Sequence, residues 1–378
     1  MRGDQLKLGI LVTIVSGFGK KGFYHSQEIG LGKELTAMGH EVCIYKCVPK
    51  TEQYKEEPID RNLIIKYIPV RKVGVHGVID VAYLDPTMKG LLSFADTQLF
   101  LPHVFRFCKK NGIRFVPYVG IAHSFQQSAK SKVMDVLFSV GTLQYYKDTL
   151  VLAKTVDAKR ELELLGVKHC EVAPVGLDPK ELRTDFRDSD RNELRAKYGF
   201  CKDDTIILFV ARLKPEKRPL DMITIFDHVC RQNSFKLLIV GEGPLRGMID
   251  EKVIALGLSD RVTIIDRIPY EDMWEIHRIS DFFVNLRAEE IFGMAVMEAV
   301  YYETSVAAIN APGPSTILQN MEGHKICSSD AEVEAWLLSK YPDISALKKS
   351  SDQILKEFTW HTCASKFVDA VQKSRLKA

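Results

Sequence analysis

Two cations in one short segment could bind a highly charged anion. Arg212 and Lys217 lie in the segment Phe209–Arg218, which begins inside an apolar run and continues into a helix-length stretch. A cation-rich turn at the carboxyl end of a strand, beside a helix N-terminus, forms an electropositive pocket suited to a diphosphate. The alternative is a solvated basic turn, since charge runs are usually exposed. We expect this turn to face a cleft between two domains, which favours the diphosphate pocket.

Two glutamates separated by seven residues follow another apolar run. Glu290 lies in the turn after residues 281–286, and Glu298 lies about two helical turns further on, roughly 12 Å along a helix axis at 1.5 Å per residue. The segment around Glu298 is otherwise apolar, and a carboxylate there is costly unless it is hydrogen-bonded. The pair can bracket an elongated ligand that has hydroxyls at both ends and phosphates between them. A purely structural Glu298 is the alternative.

A glycine-rich segment follows the first apolar run. Residues 17–22 read Gly-Phe-Gly-Lys-Lys-Gly, and their G-x-G-x-x-G spacing lets backbone amides approach a pyrophosphate. A nicotinamide dinucleotide site would also need an acidic residue after the second strand, and that strand ends Ile44-Tyr45-Lys46-Cys47. We therefore expect Gly19 and Gly22 to belong to a phosphate or acceptor loop, with a tight turn that needs glycine as the alternative.

The elements that must position these residues alternate regularly. Short apolar runs separated by helix-length segments are typical of parallel βαβ units, and ligands of such sheets bind at the carboxyl ends of the strands. The pattern predicts two doubly wound α/β domains. The predicted strands are Lys7–Val15, Glu41–Lys46, Leu63–Ile68, Arg114–Val119, Thr149–Leu152, His169–Pro174, Thr205–Ala211, Phe235–Val240, Val262–Ile265, Phe282–Leu286, Ser305–Ile309 and Lys325–Cys327.

Length and charge agree with two domains of different character. The chain has 378 residues, and its net charge of +3 is too small to indicate a nucleic-acid partner. Residues 1–180 carry 25 basic and 18 acidic side chains, whereas residues 181–378 carry 27 and 31. The basic first half suggests peripheral contact with anionic lipid or a phosphorylated acceptor, with an ordinary surface excess as the alternative.

The remaining composition excludes several classes of protein. No stretch reaches 18 apolar residues, and the run from Leu8 to Val15 leads into a glycine loop, as a first strand does and a signal peptide does not. The eight cysteines are scattered through predicted strands and helices, which indicates reduced thiols and no zinc cluster. The sequence therefore predicts a cytoplasmic enzyme or binding protein. Peripheral contact with the inner face of a membrane is compatible with this prediction.

Several motifs in a consistent order resemble one known family. The chain resembles the retaining glycosyltransferases of family 4, whose two-domain GT-B architecture has two Rossmann-like domains facing a central cleft. Glu290 and Glu298 look like the E-x7-E signature of that family, and Arg212 and Lys217 match its donor-diphosphate residues. Further similarities are Gly39-His40-Glu41-Val42, Pro174-Val175-Gly176-Leu177-Asp178, Gly241-Glu242-Gly243-Pro244 and Phe358-Thr359-Trp360.

The resemblance implies a role for each matching residue. Glu298 would bind the nucleotide ribose, Glu290 would contact the transferred sugar, and His123 would face the reacting sugar; a structural histidine is the alternative for His123. Catalytic residues would be Glu290, His123, Arg212 and Lys217. The donor site would add Gly243, Ile268, Ile291, Phe292, Gly293 and Glu298.

The resemblance also implies a domain division. We expect an N-terminal acceptor domain at residues 1–178, a charged interdomain connection at 179–204, a nucleotide-sugar domain at 205–358, and a final helix at 359–378 that packs back on the first domain. The chain departs from the family at Phe23, Val175, Ile291, Tyr302-Glu303 and Ala311–Ser315, where the family has glycine, asparagine, glycine, glycine and a G-x-P-E acid. These departures concern the sugar and acceptor pockets.

The expected activity is hexosyl transfer from a nucleoside diphosphate sugar to an acceptor hydroxyl, with retention and without a metal or other cofactor. The only D-x-D triplet of the metal-dependent class is Asp188-Ser189-Asp190, inside the charged connection, where a solvated acidic linker is the better interpretation. The alternatives are a sugar-nucleotide epimerase of the same fold and a catalytically silent nucleotide-sugar-binding protein. The presence of Arg212, Lys217, Glu290 and Glu298 together argues against a catalytically silent protein.

Overall fold

The structure is a computed structural model that describes residues 5–15, 26–124, 128–339 and 343–375. The described chain divides into two compact units. Unit 1 comprises residues 5–15, 26–124, 128–176 and 358–375, and unit 2 comprises residues 177–339 and 343–357.

Unit 1 is built on a mainly parallel sheet. Among the described residues its strand order is β3-β4-β2-β1-β6-β7-β8-β9, with β5 paired to β4, and only β3 and β5 run antiparallel to β4. The strands are β1 (Lys7–Val12), β2 (Glu41–Pro49), β3 (Lys55–Asp60), β4 (Leu63–Val73), β5 (His76–Val78), β6 (Gly90–Phe94), β7 (Arg114–Val119), β8 (Leu150–Ala153) and β9 (His169–Val172). The helices are α1 (Gln27–Ala37), α2 (Pro102–Lys110), α3 (Ala129–Val140), α4 (Thr142–Tyr146) and α5 (Val156–Leu164).

Unit 2 contains a six-stranded sheet in the described part of the chain. All its strands are parallel, in the order β12-β11-β10-β13-β14-β15. The strands are β10 (Thr205–Val210), β11 (Phe235–Val240), β12 (Val262–Ile265), β13 (Phe282–Asn285), β14 (Ser305–Ile309) and β15 (Lys325–Cys327). The helices are α6 (Arg191–Lys197), α7 (Pro219–Cys230), α8 (Arg246–Ala255), α9 (Met273–Ile279), α10 (Met294–Tyr301), α11 (Pro312–Leu318), α12 (Asp330–Leu338) and α13 (Ile344–Glu357).

The strand order of unit 2 reverses beside β10. From β10 the chain moves to β11 and β12 on one side, then returns to place β13, β14 and β15 on the other. Between β10 and β13 the connections leave in opposite directions, which opens a crevice at the carboxyl ends of those strands. The turn after β10 contains Arg212 and Lys217, and the turn after β13 contains Glu290.

The last helix, α14 (Trp360–Arg375), belongs to unit 1 and packs against α1, β6 and β7. Two glycines allow its first residue to sit close to the rest of the unit. A Cβ on Gly176 would lie 2.1 Å from the Trp360 backbone nitrogen, and one on Gly30 would lie 2.2 Å from the Trp360 indole nitrogen. The glycine in the Pro174–Asp178 motif therefore provides room for the backbone of this final helix.

Most of residues 179–204 are exposed, but Leu182, Phe186, Arg195 and Phe200 are buried. Arg195 is buried, and its guanidinium donates to Asp281 and to the carbonyl oxygens of Ile279 and Lys202. Arg191 also pairs with Asp281, at 2.7 Å. This charge-dense segment is thus anchored to unit 2, because its cations bind a largely buried carboxylate and backbone carbonyls. Asp190 is a helix cap here: its carboxylate accepts from the Asn192 and Glu193 amides at the start of α6.

Candidate active site

A tight turn after β10 places Lys217. Pro215–Lys217 forms a short 3-10 helix, and Arg218 adopts a left-handed conformation, with φ of 58°, before α7 begins at Pro219. A non-glycine residue there is strained, and the surroundings of Arg218 compensate. Its guanidinium donates to Asp221 and Asp330, at 2.7 Å each. Arg218 is therefore occupied in shaping the turn that presents Lys217.

Lys217 contacts Glu290 across the crevice between β10 and β13. The distance from Lys217 Nζ to Glu290 Oε2 is 2.5 Å, and both side chains are largely buried. Arg287 Nη1 lies 3.6 Å from the other carboxylate oxygen of Glu290. One carboxylate thus faces two cations, so this part of the site keeps a positive excess. The predicted partners Lys217 and Glu290, which are 73 residues apart in the chain, are brought together.

Arg212 lies in the same turn as Lys217 but differs in its environment. Its side chain is exposed, and within the described residues no hydrogen bond or ion pair of the guanidinium is found. The turn itself is fixed by backbone bonds from Leu213 N to Glu242 O, at 2.8 Å, and from Leu245 N to Leu213 O, at 3.1 Å. A fixed backbone with an unoccupied guanidinium is suited to an incoming anion.

Gly243 allows that turn to approach the turn after β11. A Cβ on Gly243 would lie 2.4 Å from the carbonyl oxygen of Leu213, which is backbone and cannot move aside as a side chain can. Gly241 is under the same constraint, since its Cβ would lie 1.8 Å from the carbonyl oxygen of Ala211. The glycines of the Gly-Glu-Gly-Pro segment therefore position the Arg212 turn through close backbone packing.

The segment from Glu290 to Gly293 leads into α10. Gly293 precedes α10 in a left-handed conformation, with φ of 93°, and the Glu290 carbonyl accepts from the Gly313 amide at 3.0 Å. A Cβ on Gly313 would lie 2.0 Å from the Phe292 carbonyl oxygen. Phe292 is buried and Ile291 is partly buried. The predicted donor residues Ile291, Phe292 and Gly293 thus form the entry to an eight-residue helix whose first amides can face an anion.

Glu298 is the buried carboxylate of α10. Burial raises its pKa from 4.5 to about 7, and a hydrogen bond from the Tyr270 hydroxyl, at 3.3 Å, opposes that rise. Tyr270 belongs to the segment after β12, two residues beyond Ile268, which is itself buried. The structure therefore joins the predicted Glu298 to the segment in which Ile268 was predicted.

His123 lies in unit 1, after β7. It is 52% exposed, and its Nδ1 pairs with a carboxylate oxygen of Glu161 on α5. The other carboxylate oxygen of Glu161 accepts from the Ala122 amide at 3.3 Å. Glu161 therefore fixes both the imidazole and the backbone that carries it.

Three contact residues were not predicted from the sequence. Arg287 faces Glu290, Tyr270 donates to Glu298, and Glu161 pairs with His123. A signal was present for the first two, because each follows a predicted strand of the second sheet. Glu161 lies within a charged helix, and nothing in its local pattern distinguishes it.

Gly19 and Gly22 lie outside the described residues. Across the described ranges, no group of three or more His, Cys, Asp or Glu side chains could hold a metal ion. Among the helices described, none is both long and apolar enough to cross a bilayer.

Comparison with known proteins finds a family similarity in the second half of the chain. Residues 190–358 match the family model described as glycosyl transferases group 1. A D-inositol 3-phosphate glycosyltransferase of Nocardia farcinica is 28% identical over 183 residues, which are 46% of this chain and 40% of that protein. The chain spans about half the length, or less, of the first such relatives it matches.

Solved structures resemble the fold over nearly the whole chain. A sucrose-phosphate synthase from Thermosynechococcus elongatus has a TM-score of 0.74 at 15% identity, covering 99% of this chain and 100% of that one. Anabaena HepE in complex with UDP-glucose has a TM-score of 0.69 at 12% identity, covering 98% and 100%. The predicted two-domain α/β fold of the GT-B type is confirmed. The chain thus has the GT-B fold, and its residues 190–358 are similar to the glycosyl transferases group 1.

Proposed function

We propose that the chain is a retaining, metal-independent glycosyltransferase that moves a sugar from a nucleoside diphosphate sugar to an acceptor hydroxyl. The acceptor class is a glycan, a glycolipid or a small-molecule glycoside. The observation that carries the proposal is the contact between Lys217 and Glu290 at the reversal of strand order in unit 2. Ligands of doubly wound sheets bind at this position.

The donor diphosphate is assigned to the cations after β10. Arg212 has an exposed guanidinium, Lys217 supplies an ammonium, and the N-terminus of α10 supplies amides from the neighbouring strand connection. As the bond from the anomeric carbon to the phosphate oxygen breaks, its electron pair goes to the diphosphate. Fixed positive groups stabilise that growing charge and lower the barrier. These cations would supply the charge that a divalent metal supplies in other transferases.

The two glutamates are assigned to the ends of the donor. Glu290, beside the diphosphate position, would accept hydrogen bonds from hydroxyls of the transferred sugar. Glu298 would accept from the ribose, and its pKa near 7 makes its charge sensitive to a bound hydroxyl pair. HepE was solved with UDP-glucose, and the Nocardia relative is named a D-inositol 3-phosphate glycosyltransferase, which supports a nucleotide-sugar donor and a hydroxyl acceptor.

Retention is assigned to attack on the face from which the diphosphate leaves. The acceptor oxygen forms the new bond to the anomeric carbon, and its proton passes to an oxygen of the departing phosphate. No protein base is needed in this step. His123 is proposed to contact the transferred sugar, with Glu161 fixing its orientation.

The test is a donor screen followed by product analysis. UDP-, GDP- and ADP-sugars are first screened by thermal shift, since a ligand that binds the folded state raises the melting temperature. The stabilising donor is then incubated with and without a panel of acceptor glycosides, in buffer containing EDTA. The proposal expects acceptor-dependent release of nucleoside diphosphate and an anomeric configuration equal to that of the donor.

Three results would contradict parts of the proposal. Rearranged nucleotide sugar in the reaction without acceptor would indicate an epimerase. Loss of transfer in EDTA, restored by Mg²⁺ or Mn²⁺, would contradict the metal-independent mechanism. A His123→Ala variant with unchanged kcat and KM would remove His123 from the reaction.

A further inference from the structure

One helix of unit 1 exposes a continuous apolar face. On α3, the side chains of Val133, Val136, Leu137 and Val140 are 59%, 60%, 49% and 67% exposed. Their spacing of three, four and seven residues places them on one side of the helix, and we call them the α3 stripe. The opposite side is already packed, since Phe138 is buried against Tyr146 with ring centroids 5.9 Å apart. Helix α3 therefore has one apolar side packed inside unit 1 and another, the α3 stripe, that is exposed.

The fully exposed charged side chains of α3 are both cationic. Lys130 and Lys132, in the first turn of α3, are exposed. Asp135 is the only acid in the helix, and its Oδ1 accepts from the backbone amide and hydroxyl of Ser124, at 2.9 and 2.7 Å. Asp135 is thus engaged with the loop that precedes α3. The exposed surface of the helix is apolar and cationic, without a free carboxylate.

We propose that α3 docks on an anionic lipid bilayer. A helix with aliphatic residues on one side and lysines beside them lies in the interface of a membrane, with its apolar side at the boundary between headgroups and acyl chains. The charge of residues 1–180, with 25 basic against 18 acidic side chains, adds attraction to the same surface. The stripe contains no aromatic residue or arginine, the anchors typical of protein–protein contacts. These observations favour lipid over a second copy or an acidic protein.

The experiment is co-sedimentation of the full chain with vesicles. Wild-type protein should bind vesicles of phosphatidylcholine and phosphatidylglycerol at least about tenfold more tightly than vesicles of phosphatidylcholine alone. The Val136→Asp/Val140→Asp variant should lose about tenfold or more of the binding to anionic vesicles. Lys130→Gln/Lys132→Gln should also weaken that binding, by about fivefold for each lysine, and should reduce its salt dependence.

The matched control is Leu164→Asp on α5. Leu164 is 83% exposed in the same unit but lies outside the α3 stripe, so its substitution should leave vesicle binding unchanged. All substituted side chains are exposed, and an unchanged melting temperature would show that each variant is folded.

Equal wild-type binding to neutral and anionic vesicles, or wild-type affinity in the Val136→Asp/Val140→Asp variant, would overturn the proposal. So would wild-type self-association, measured by sedimentation velocity, that this variant abolishes while vesicles remain unbound, because the occupant would then be a second copy. The readout is lipid binding, so failure here leaves the proposed sugar transfer untouched.

Discussion

Lys217 Nζ lies 2.5 Å from Glu290 Oε2, and this contact joins the turns that follow two neighbouring parallel strands, β10 and β13. The strand order reverses between these strands, so the contact marks the position where a doubly wound sheet binds its ligand. The cation proposed for the phosphates and the carboxylate proposed for the sugar are thus joined by one hydrogen bond.

Removing either diphosphate cation should lower transfer strongly. We expect Arg212→Ala and Lys217→Ala each to reduce kcat/KM by a factor of about 100 or more, by analogy with the loss of one oxyanion donor. Steady-state kinetics with the donor found by thermal shift measure the effect. Lys236→Ala is the matched control, because Lys236 lies near the start of β11, at the opposite edge of the sheet, and donates to the Asp260 carbonyl. Near-normal turnover in both site variants would reject the diphosphate assignment.

Lys217 and Glu290 should be coupled in stability. Each is largely buried, so Glu290→Gln removes the charge opposite Lys217, and Lys217→Met leaves Glu290 with only the more distant Arg287 cation. We expect either change to lower the free energy of unfolding by about 1–3 kcal/mol. The double variant should lose less than the sum of the two. Urea unfolding of the four proteins completes the cycle. Additive losses would mean that the contact contributes no coupling.

The Glu298 carboxyl should make stability depend on pH. Burial raises its pKa from 4.5 to about 7, so the fold favours the protonated form; this stabilisation is present at low pH and is lost as pH rises from 4.5 through about 7. Glu298→Gln is neutral throughout. Its free energy of unfolding relative to wild type should therefore improve by about 3 kcal/mol between pH 4 and pH 8.

Tyr270→Phe provides the companion variant for this measurement. It removes the hydrogen bond that lowers the pKa of Glu298, so the loss of stability in Tyr270→Phe should extend to higher pH than in wild type. A stability difference between Glu298→Gln and wild type that stays constant from pH 4 to pH 8 would contradict the assignment of this titration to Glu298.

A methyl group on Gly243 should displace the Arg212 turn. The added Cβ would lie 2.4 Å from the Leu213 carbonyl oxygen, so the backbone must shift and both stability and donor affinity should fall. Gly247→Ala is the matched control: it lies in α8 with nothing within 4 Å of the added atom, and alanine favours helix by roughly 0.5–1 kcal/mol. Thermal unfolding and donor binding compare the two. Equal stability and equal donor affinity in the two variants would show that close packing at Gly243 does not position the Arg212 turn.

The strands of unit 2 were predictable because each is a short buried apolar run between helices. The six predicted strands of that unit are all present, with ends that differ by no more than one residue. In unit 1 the prediction missed β3, β5 and β6. The β3 sequence Lys-Glu-Glu-Pro-Ile-Asp is polar because both its faces are largely exposed, and β5 has three residues. The central strand β6 reads Gly-Leu-Leu-Ser-Phe, and its glycine and serine interrupt the apolar pattern that marks the other buried strands.

The charged groups of the site were predictable from motif order, whereas their partners depend on tertiary structure. Arg212, Lys217, Glu290 and Glu298 each follow a predicted strand, and strand ends locate ligand sites. The pairing of Lys217 with Glu290 follows from β10 lying beside β13, and only the sheet order shows this. The same limit applies to residues 179–204, because composition does not reveal that Asp281 binds Arg191 and Arg195.

The most direct test of the account is a crystal structure of the protein with its nucleoside diphosphate donor bound. We predict that the two phosphates lie at the carboxyl ends of β10 and β13, within hydrogen-bonding distance of the Arg212 guanidinium and the Lys217 ammonium. We predict further that the sugar lies toward Glu290 and the ribose toward Glu298. A donor whose phosphates contact neither cation, or that binds away from these strand ends, would contradict the account.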